Sequence, residues 1–230
     1  GQRFDIHTGG VDNIFPHHEG EIAQSEGYTG QPVVNTWVHG QHLLADGVKM
    51  AKSTGNSYIM DDLEQRDIDP LAFRYLCLTA RYSTRLNFTF ASLQAAQRAL
   101  LRLRNRVWEW EALPPLPNVD GDAHLQWVER FMERVDDNLD LPGALALTWA
   151  LARSDLPGQT KLEVLRTFDQ ILGLGLNRVS ESYRTDGDVL STLLRRSKMR
   201  ERSQYPEGDA LRDALNRPQK RLRIIILRTI

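Results

Sequence analysis

The sequence is poor in cysteine and contains no long hydrophobic run. Its 230 residues include one cysteine, Cys77, which excludes an intrachain disulfide and is typical of a reducing compartment. One aliphatic run, residues 224–227, lies among arginines and is far shorter than the roughly 18 to 20 residues that span a bilayer. No signal-peptide pattern opens the chain. We therefore expect a cytoplasmic protein without a membrane segment, and we expect Cys77 in its core.

Basic residues are scarce in the first part of the chain. Residues 1–65 carry three lysines or arginines and nine acidic residues, whereas the whole chain has 29 basic and 30 acidic residues. The remainder is therefore net basic. This division suggests two parts with different partners, and a polyanion is a candidate for the second part. A mildly basic surface without any nucleic-acid partner fits the same numbers.

The first 60 residues mix strand and helix patterns. Arg3–His7 alternates apolar and polar residues like a short strand, which the glycines that follow would end. Pro16 suits the first turn of a helix, which would run to about Glu26 and stop at Gly27. Because a parallel sheet needs neighbouring elements on both sides, we infer that this segment ends a larger α/β domain.

A second strand and a loop follow in this segment. Val33–Val38 has a strand pattern, and Asp46–Gly47 predicts a tight turn. Small polar residues make Lys49–Asn56 a loop.

The rest of the chain favours helices. Asp69 and Pro70 predict a cap and a first helical turn, and residues 142–153 are apolar nearly all round. Three further helices show apolar steps of three and four residues: Leu93, Ala96, Leu100, Leu103 and Val107; Leu125, Val128, Met132, Val135 and Leu139; Leu162, Leu165, Phe168 and Leu172. This pattern predicts an antiparallel helical bundle, followed by a loop at 173–188 and a basic helix at 189–203.

A histidine and a glutamate stand four residues apart in Phe15-Pro16-His17-His18-Glu19-Gly20-Glu21. On a helix, His17 and Glu21 project from one face, and both side chains are good zinc ligands. Two ligands do not complete a zinc site. The H-E-x-x-H order of zinc proteases is absent, because Ile22 takes the place of the second histidine. A solvent-facing acidic helix with incidental histidines fits the same spacing.

Two lysines and two glycines suggest a nucleotide site. Lys49 and Lys52 lie three apart in a loop with small and hydroxyl residues, where they could bind a polyphosphate. Upstream, Gly9 and Gly10 allow close backbone approach, and Asp12 could hold ribose hydroxyls or an ammonium group. The dinucleotide fingerprint G-x-G-x-x-G is absent. A solvated loop and a simple turn are the alternatives for these two segments.

The order of these motifs resembles the cysteinyl-tRNA synthetases, a class I group. The matching segments are H-x-G-G-x-D, F-P-H-H-E-x-E-I-A-Q, W-x-H and K-M-x-K-S-x-G-N, followed by D-P-x-A-x-R-Y at residues 69–75 and L-N-F at residues 86–88. The resemblance spans at least residues 1–110. It departs from the family at Ala51, where a serine is usual, and at Gly20, where an asparagine is usual.

The resemblance implies a catalytic zinc ion that binds the thiol of the substrate cysteine. His17 and Glu21 match two of its four protein ligands, and the other two are cysteines expected upstream. His7 and His39 match histidines that line the pocket and orient its groups. Gly10 and Asp12 match an adenosine or amino-acid contact. Lys52, together with Lys49, matches the KMSKS contact to the phosphates of ATP, which enters with magnesium.

The resemblance also implies an architecture and a partner. Residues 1–65 would end a Rossmann-like catalytic domain, 66–115 would form a helical connection that contacts the tRNA stem, 116–215 would form a helical-bundle anticodon domain, and 216–230 a basic tail. Cysteine, ATP and tRNA(Cys) are the expected substrates, and a monomer is expected. Arginines and tryptophans of the helical part are candidate RNA contacts, although the tryptophans also fit a core: Arg98, Arg102, Arg104, Arg106, Trp108, Trp110, Trp127 and Trp149.

Two other functions fit parts of this pattern. A cysteine ligase of mycothiol synthesis would have a similar pocket and would use an amino-sugar instead of tRNA. A non-catalytic fragment or paralogue would bind tRNA without activating cysteine. The family also carries an upstream H-I-G-H-like signature that contacts ATP and is missing from this chain. Because that signature and half of the zinc ligands are missing, we expect this chain alone to lack ATP–pyrophosphate exchange.

Overall fold

A computed structural model describes residues 3–50, 55–114 and 121–176. The predictions for Lys52 and for everything after residue 176 lie outside these residues. Within the described residues the chain forms five strands and seven α-helices. No helix among them is long and apolar enough to cross a membrane.

The first two strands form a parallel pair. β1 (Phe4–Gly10) lies beside β2 (Val34–Gly40), with Phe4 opposite Val34 and Gly10 opposite Gly40. The prediction that the glycines end β1 was wrong, because a glycine backbone pairs in a ladder as any other does. The crossover between the strands contains short helical turns at Val11–Asn13 and Ile14–His18 and then α1 (Glu19–Thr29).

Helix α1 ends later than the sequence predicted. Gly27 lies inside it, and Gly30 takes the left-handed conformation at its end with φ of 64°. The Gly30 N–H donates to the Glu26 carbonyl oxygen over 2.8 Å. Both glycines could serve as a stop, and only the one whose N–H closes the last turn does so.

A second, three-stranded sheet joins residues 43–49 to residues 86–88. β3 (Leu43–Ala45) pairs antiparallel with β4 (Val48–Lys49) and parallel with β5 (Leu86–Phe88). The predicted turn at Asp46–Gly47 joins β3 to β4, with φ of 51° and 80°. The Gly47 N–H donates to the Asn87 side-chain oxygen over 2.8 Å, which fixes the turn against β5.

One helix of the middle segment begins where the sequence predicts its cap, after Asp69. α2 (Met60–Glu64) is short, and α3 (Pro70–Cys77) starts after Asp69, whose carboxylate accepts from the Leu71 N–H. α4 (Phe90–Glu111) starts after Thr89. All five residues of its predicted stripe are buried. Cys77, predicted in the core, is exposed, because it lies on the opposite side of α3 from the buried Ala72 and Leu76.

Three further helices complete the described core. α5 (Gly121–Asp136), α6 (Leu141–Arg153) and α7 (Gly158–Leu172) pack on one another, and α7 also packs on α4. The predicted stripe of α7 is buried. The stripe of α5 was partly wrong: Leu125 and Leu139 are exposed, and the buried residue is Phe131, stacked on Phe168 with ring centroids 4.0 Å apart. An antiparallel bundle remains a prediction.

Candidate active site

Four residues predicted for the zinc pocket lie near one another beside β1 and β2. They are His7, His17, Glu21 and His39. Parallel pairing sets His7 opposite Trp37 and Gly9 opposite His39. The turns after β1 then return the chain, so that His18 and the first turn of α1 lie against the same strands. The rings of His7 and His18 lie 4.8 Å apart, and those of His18 and His39 lie 5.0 Å apart. Ligands of α/β proteins bind at this carboxyl end of parallel strands.

Glu21 is the central member of this cluster. Its two oxygens contact different histidines: Oε1 lies 3.3 Å from His17 Nε2, and Oε2 lies 3.4 Å from His7 Nε2. His7, His18 and Glu21 each offer a ligand atom, and these atoms all lie within 4.8 Å of one another. Glu21 Oε2 is buried and has no hydrogen-bond partner among the described residues.

The donor set fits zinc. Two or three imidazoles and a carboxylate are ligands that this ion takes in tetrahedral sites, with one or more positions left for other groups. A buried carboxylate oxygen without a hydrogen bond is costly unless a cation or a donor occupies the space in front of it. The predicted pair His17–Glu21 is in place, although the His17 side chain is 64% exposed.

His18 is a site residue that the sequence reasoning missed. It is the one buried member of the histidine group, 3% exposed, and its Nδ1 lies 2.8 Å from His39 Nε2. Burial first, and then the nearby charge of His7, lowers the pKa of His18. A lowered pKa keeps the imidazole neutral at neutral pH, and the neutral form is the one that binds metals. The i,i+3 spacing of His18 and Glu21 was the available signal.

Gly9 makes room for the buried imidazole. A Cβ added there would lie 2.6 Å from His18 Cε1 and 2.9 Å from the Asn13 side-chain nitrogen. Gly9 is paired with His39 in the β1–β2 register, and the His39 ring forms a hydrogen bond with His18. Residue 9 must therefore be a glycine because the His18 ring lies so close to it, whether or not a ligand binds nearby.

The second group of candidates, for ATP, lies next to the first. Asp12 follows β1 directly, and its Oδ2 lies 3.3 Å from Lys49 Nζ on β4. The hydrogen bond from Lys49 is the largest cause of a lowered pKa at Asp12. Gly10 lies so close that an added Cβ would overlap Asp12 Oδ1. Three of the four candidates for ATP are thus together, and Lys52 lies outside the described residues.

The candidate RNA contacts fall into two groups in the structure, residues that pack against the core and residues that are exposed. Arg104 Nη1 forms an ion pair with Asp69, and Nη2 donates to the Leu174 carbonyl oxygen, so this arginine is committed to packing. Trp110 is buried, and Trp149 donates through Nε1 to the Tyr75 hydroxyl over 2.8 Å. Trp108 and Trp127 are half-buried, whereas Arg98, Arg102 and Arg106 are exposed.

Comparisons with known proteins agree with the motif order. Residues 1–98 match the family described as tRNA synthetases class I (C) catalytic domain. The chain is 41% identical to cysteine–tRNA ligase 1 of Burkholderia lata over 94% of its own length and 45% of that protein. It is 38% identical to the cysteine–tRNA ligase of Chlamydia muridarum and 35% to that of Leptospira interrogans, over 94% of this chain and 50% and 49% of those proteins.

A solved structure is similar in fold. The match is a ternary complex of Agrobacterium radiobacter K84 agnB2 LeuRS with tRNA and LeuAMS, with a TM-score of 0.56, 16% identity, and coverage of 77% of this chain and 26% of that one. The chain spans about half the length of the curated relatives it matches.

Proposed function

Because this chain belongs to the cysteinyl-tRNA synthetase family, we propose that it carries part of the site at which the whole protein activates cysteine with ATP and transfers it to tRNA(Cys). The observation that supports this most is the cluster around Glu21, whose buried oxygen lies near the imidazoles of His7 and His18 and has no hydrogen bond to any described residue. The relatives named above are cysteine–tRNA ligases, which favours tRNA over an amino-sugar as the acceptor.

We propose that Glu21 and His17 hold zinc, together with ligands from the remainder of the protein. A zinc ion bound there would prefer the thiolate of cysteine to the hydroxyl of serine. His7 lies against the second oxygen of Glu21, and His18 lies behind it, held by His39. Of these imidazoles, His7 orients the carboxylate by direct contact, and His39 holds His18 in place beside it.

We further propose that Lys49 and Lys52 bind the phosphates of magnesium-bound ATP. Lys49 now donates to Asp12, so binding a phosphate requires it to exchange one anionic partner for another. Asp12 and Gly10 would then face the adenosine or the ammonium group of cysteine. The lysine charges stabilise the negative charge that develops while the α-phosphorus is attacked.

The reaction proposed for the whole protein has two steps. A carboxylate oxygen of cysteine attacks the α-phosphorus of ATP, the bond to the bridging oxygen breaks, and pyrophosphate leaves. A terminal ribose hydroxyl of tRNA then attacks the carbonyl carbon of cysteinyl-adenylate, and AMP leaves. The protein positions the reactants and stabilises charge, and no side chain needs to form a covalent intermediate.

Cysteine-dependent ATP–pyrophosphate exchange by the whole protein tests this proposal. We expect Glu21→Gln to lower exchange about 100-fold or more and to lower the bound zinc, because the neutral amide is a poor ligand. Glu19→Gln is the matched control: Glu19 begins the same helix, is exposed, and should leave exchange within about two-fold. Equal activity of the two variants would contradict the assignment.

A further inference from the structure

One dipeptide, Arg81-Tyr82, contacts both the end of β2 and the residues that join α5 to α6. It lies in the segment between α3 and β5, where the Thr84 N–H donates to the Arg81 carbonyl oxygen over 2.9 Å and closes a turn. The backbone of the dipeptide contacts β2, and its two side chains contact the helices. We call it the Arg81–Tyr82 bridge.

The backbone of Tyr82 holds the carboxyl end of β2. The Gln41 N–H, directly after that strand, donates to the Tyr82 carbonyl oxygen over 2.8 Å. A Cβ added at Gly40 would lie 3.9 Å from the same oxygen, so Tyr82 packs closely on the strand. Gln41 stands two residues after His39, and the bridge therefore fixes the part of β2 that carries this histidine.

The side chains of the bridge hold the turn between α5 and α6. The Tyr82 hydroxyl donates to the Asn138 side-chain oxygen over 2.6 Å. Arg81 Nη2 lies 3.4 Å from Asp137 Oδ2 and 3.2 Å from Asp140 Oδ1. Asp140 is buried and directly precedes α6. The bridge thus contacts three of the four residues from 137 to 140, through charge and through a hydrogen bond.

The turn that the bridge holds has an uncommon backbone. Asn138 and Leu139 have φ of 52° and 54°, in the left-handed region that residues other than glycine rarely take. A leucine stays in this region only where neighbouring contacts hold it there. The contacts that Arg81 and Tyr82 make on both sides of Leu139 contribute to that restraint. Tyr82 is therefore held by a restricted turn and not by a freely moving loop.

The end of β2 matters for the candidate site because His39 holds the buried His18. His39 Nε2 lies 2.8 Å from His18 Nδ1, and the His18 ring meets the His7 ring edge-on, with centroids 4.8 Å apart. His7 Nε2 in turn lies 3.4 Å from Glu21 Oε2. A displacement of the strand end would thus reach Glu21 through imidazoles packed on one another. Displacements of about 1 Å are enough to impair a pocket that positions a substrate.

We propose that Tyr82 is a positioning residue for cysteine activation. Its carbonyl oxygen holds the end of β2, and its hydroxyl, through Asn138, sets where that oxygen lies relative to the helices. Tyr82 acts through Gln41 and His39, and it is assigned no contact with a substrate. This inference rests on the proposed function. It implies that a residue in the turn between α5 and α6 contributes to the binding of cysteine.

The kinetics of cysteine-dependent ATP–pyrophosphate exchange by the whole protein test the proposal. Tyr82→Phe removes only the hydroxyl group. We expect it to raise the KM for cysteine about three- to five-fold, which is the effect expected of one partly exposed hydrogen bond. The KM for ATP should stay within about two-fold, because Lys49 and Asp12 hold each other directly. A loss of stability alone would lower the amount of active protein and would leave both KM values unchanged.

Asn138→Gly removes the same hydrogen bond from its other side. Glycine takes the left-handed region without steric cost, so the turn keeps its backbone. We expect the same rise in the KM for cysteine, and no further rise in Tyr82→Phe/Asn138→Gly, because both changes break one bond. Tyr28→Phe is the matched control, since Tyr28 lies on α1 and is 92% exposed. It should leave both KM values unchanged.

Histidine NMR of the whole protein separates this proposal from the proposed function. With isotope-labelled histidine, Tyr82→Phe and Asn138→Gly should shift the signals of His39 and His18, whereas Tyr28→Phe should not. Unshifted signals would overturn the proposal, as would an unchanged KM for cysteine in an active protein. If the signals shift but the wild-type protein shows no cysteine-dependent exchange, the positioning of β2 stands and the proposed function fails.

Discussion

Lys49 Nζ lies 3.3 Å from Asp12 Oδ2, although 37 residues separate them in the chain. The contact joins two motifs that the sequence shows separately, the Gly-Gly-x-Asp turn and the lysine loop. It exists because β1 ends at Gly10 and the β3–β4 turn returns Lys49 to the same place. Both members are exposed, so the pair holds the loop near the candidate ATP site without fixing it rigidly.

Removal of Lys49 should raise the pKa of Asp12. The hydrogen bond from Lys49 lowers that pKa, so the pair stabilises the fold above the pKa of an unfolded aspartate and loses this effect as pH falls through the lowered value. In Lys49→Met, the Asp12 carboxyl should titrate at higher pH, as carbon-detected NMR would measure. Asp5, whose Oδ1 accepts a hydrogen bond from the Asn35 side-chain amide over 3.4 Å, provides the internal control. An unchanged Asp12 titration would show that the contact does not persist in solution.

Gly9→Ala should destabilise the chain by about 1 to 3 kcal/mol, because the new methyl group would overlap the buried His18 ring. The histidine NMR signals should shift as the His18–His39 hydrogen bond is broken. Gly20→Ala is the contrasting variant, since nothing lies within 4 Å of its added Cβ and it stands in α1. It should stabilise the chain by about 0.5 to 1 kcal/mol in urea unfolding. Equal effects of both would refute the steric account.

Arg104→Leu should cost about 2 kcal/mol in the free energy of unfolding. Its ion pair with Asp69 is mostly enclosed, and loss of one partner leaves the other without compensation, but the Asp69 side chain is 32% exposed, so the cost falls below the about 3 to 5 kcal/mol of a fully buried pair. Arg98→Leu, on the exposed side of the same helix, should stay within about 0.5 kcal/mol. The prediction fails if urea unfolding gives the two variants the same stability.

Phe131→Ala should cost about 3 to 5 kcal/mol, because its ring is 1% exposed and stacks on Phe168 between α5 and α7. Leu125→Ala on the same helix should cost less than about 1 kcal/mol, because Leu125 is 59% exposed. Thermal and urea unfolding would measure both. A larger cost at Leu125 would support the stripe that the sequence predicted in place of the one the structure shows.

The helices of the second part were largely predictable. Caps such as Asp69 and the spacing of the α4 and α7 stripes are local signals, and local signals fix where a helix begins and which face is apolar. Helix α5 was the exception. Its spacing admits a stripe through Leu125 and Leu139, and only the position of α7 makes Phe131 the buried residue. The end of α1 was ambiguous for a similar reason, because two glycines could supply the stop.

The sequence by itself determined the resemblance to the cysteinyl-tRNA synthetases, the buried faces of α4 and α7 and the presence of a His/Glu pair, because each depends on residue type and spacing along the chain. The tertiary structure decided which residues meet. It set His18 against His39, gave Glu21 Oε2 no hydrogen-bond partner among the described residues, joined Asp12 to Lys49, and separated Arg104 from the other arginines of α4. Those contacts join strands, turns and helices distant in the chain, and no local pattern encodes the distance between them.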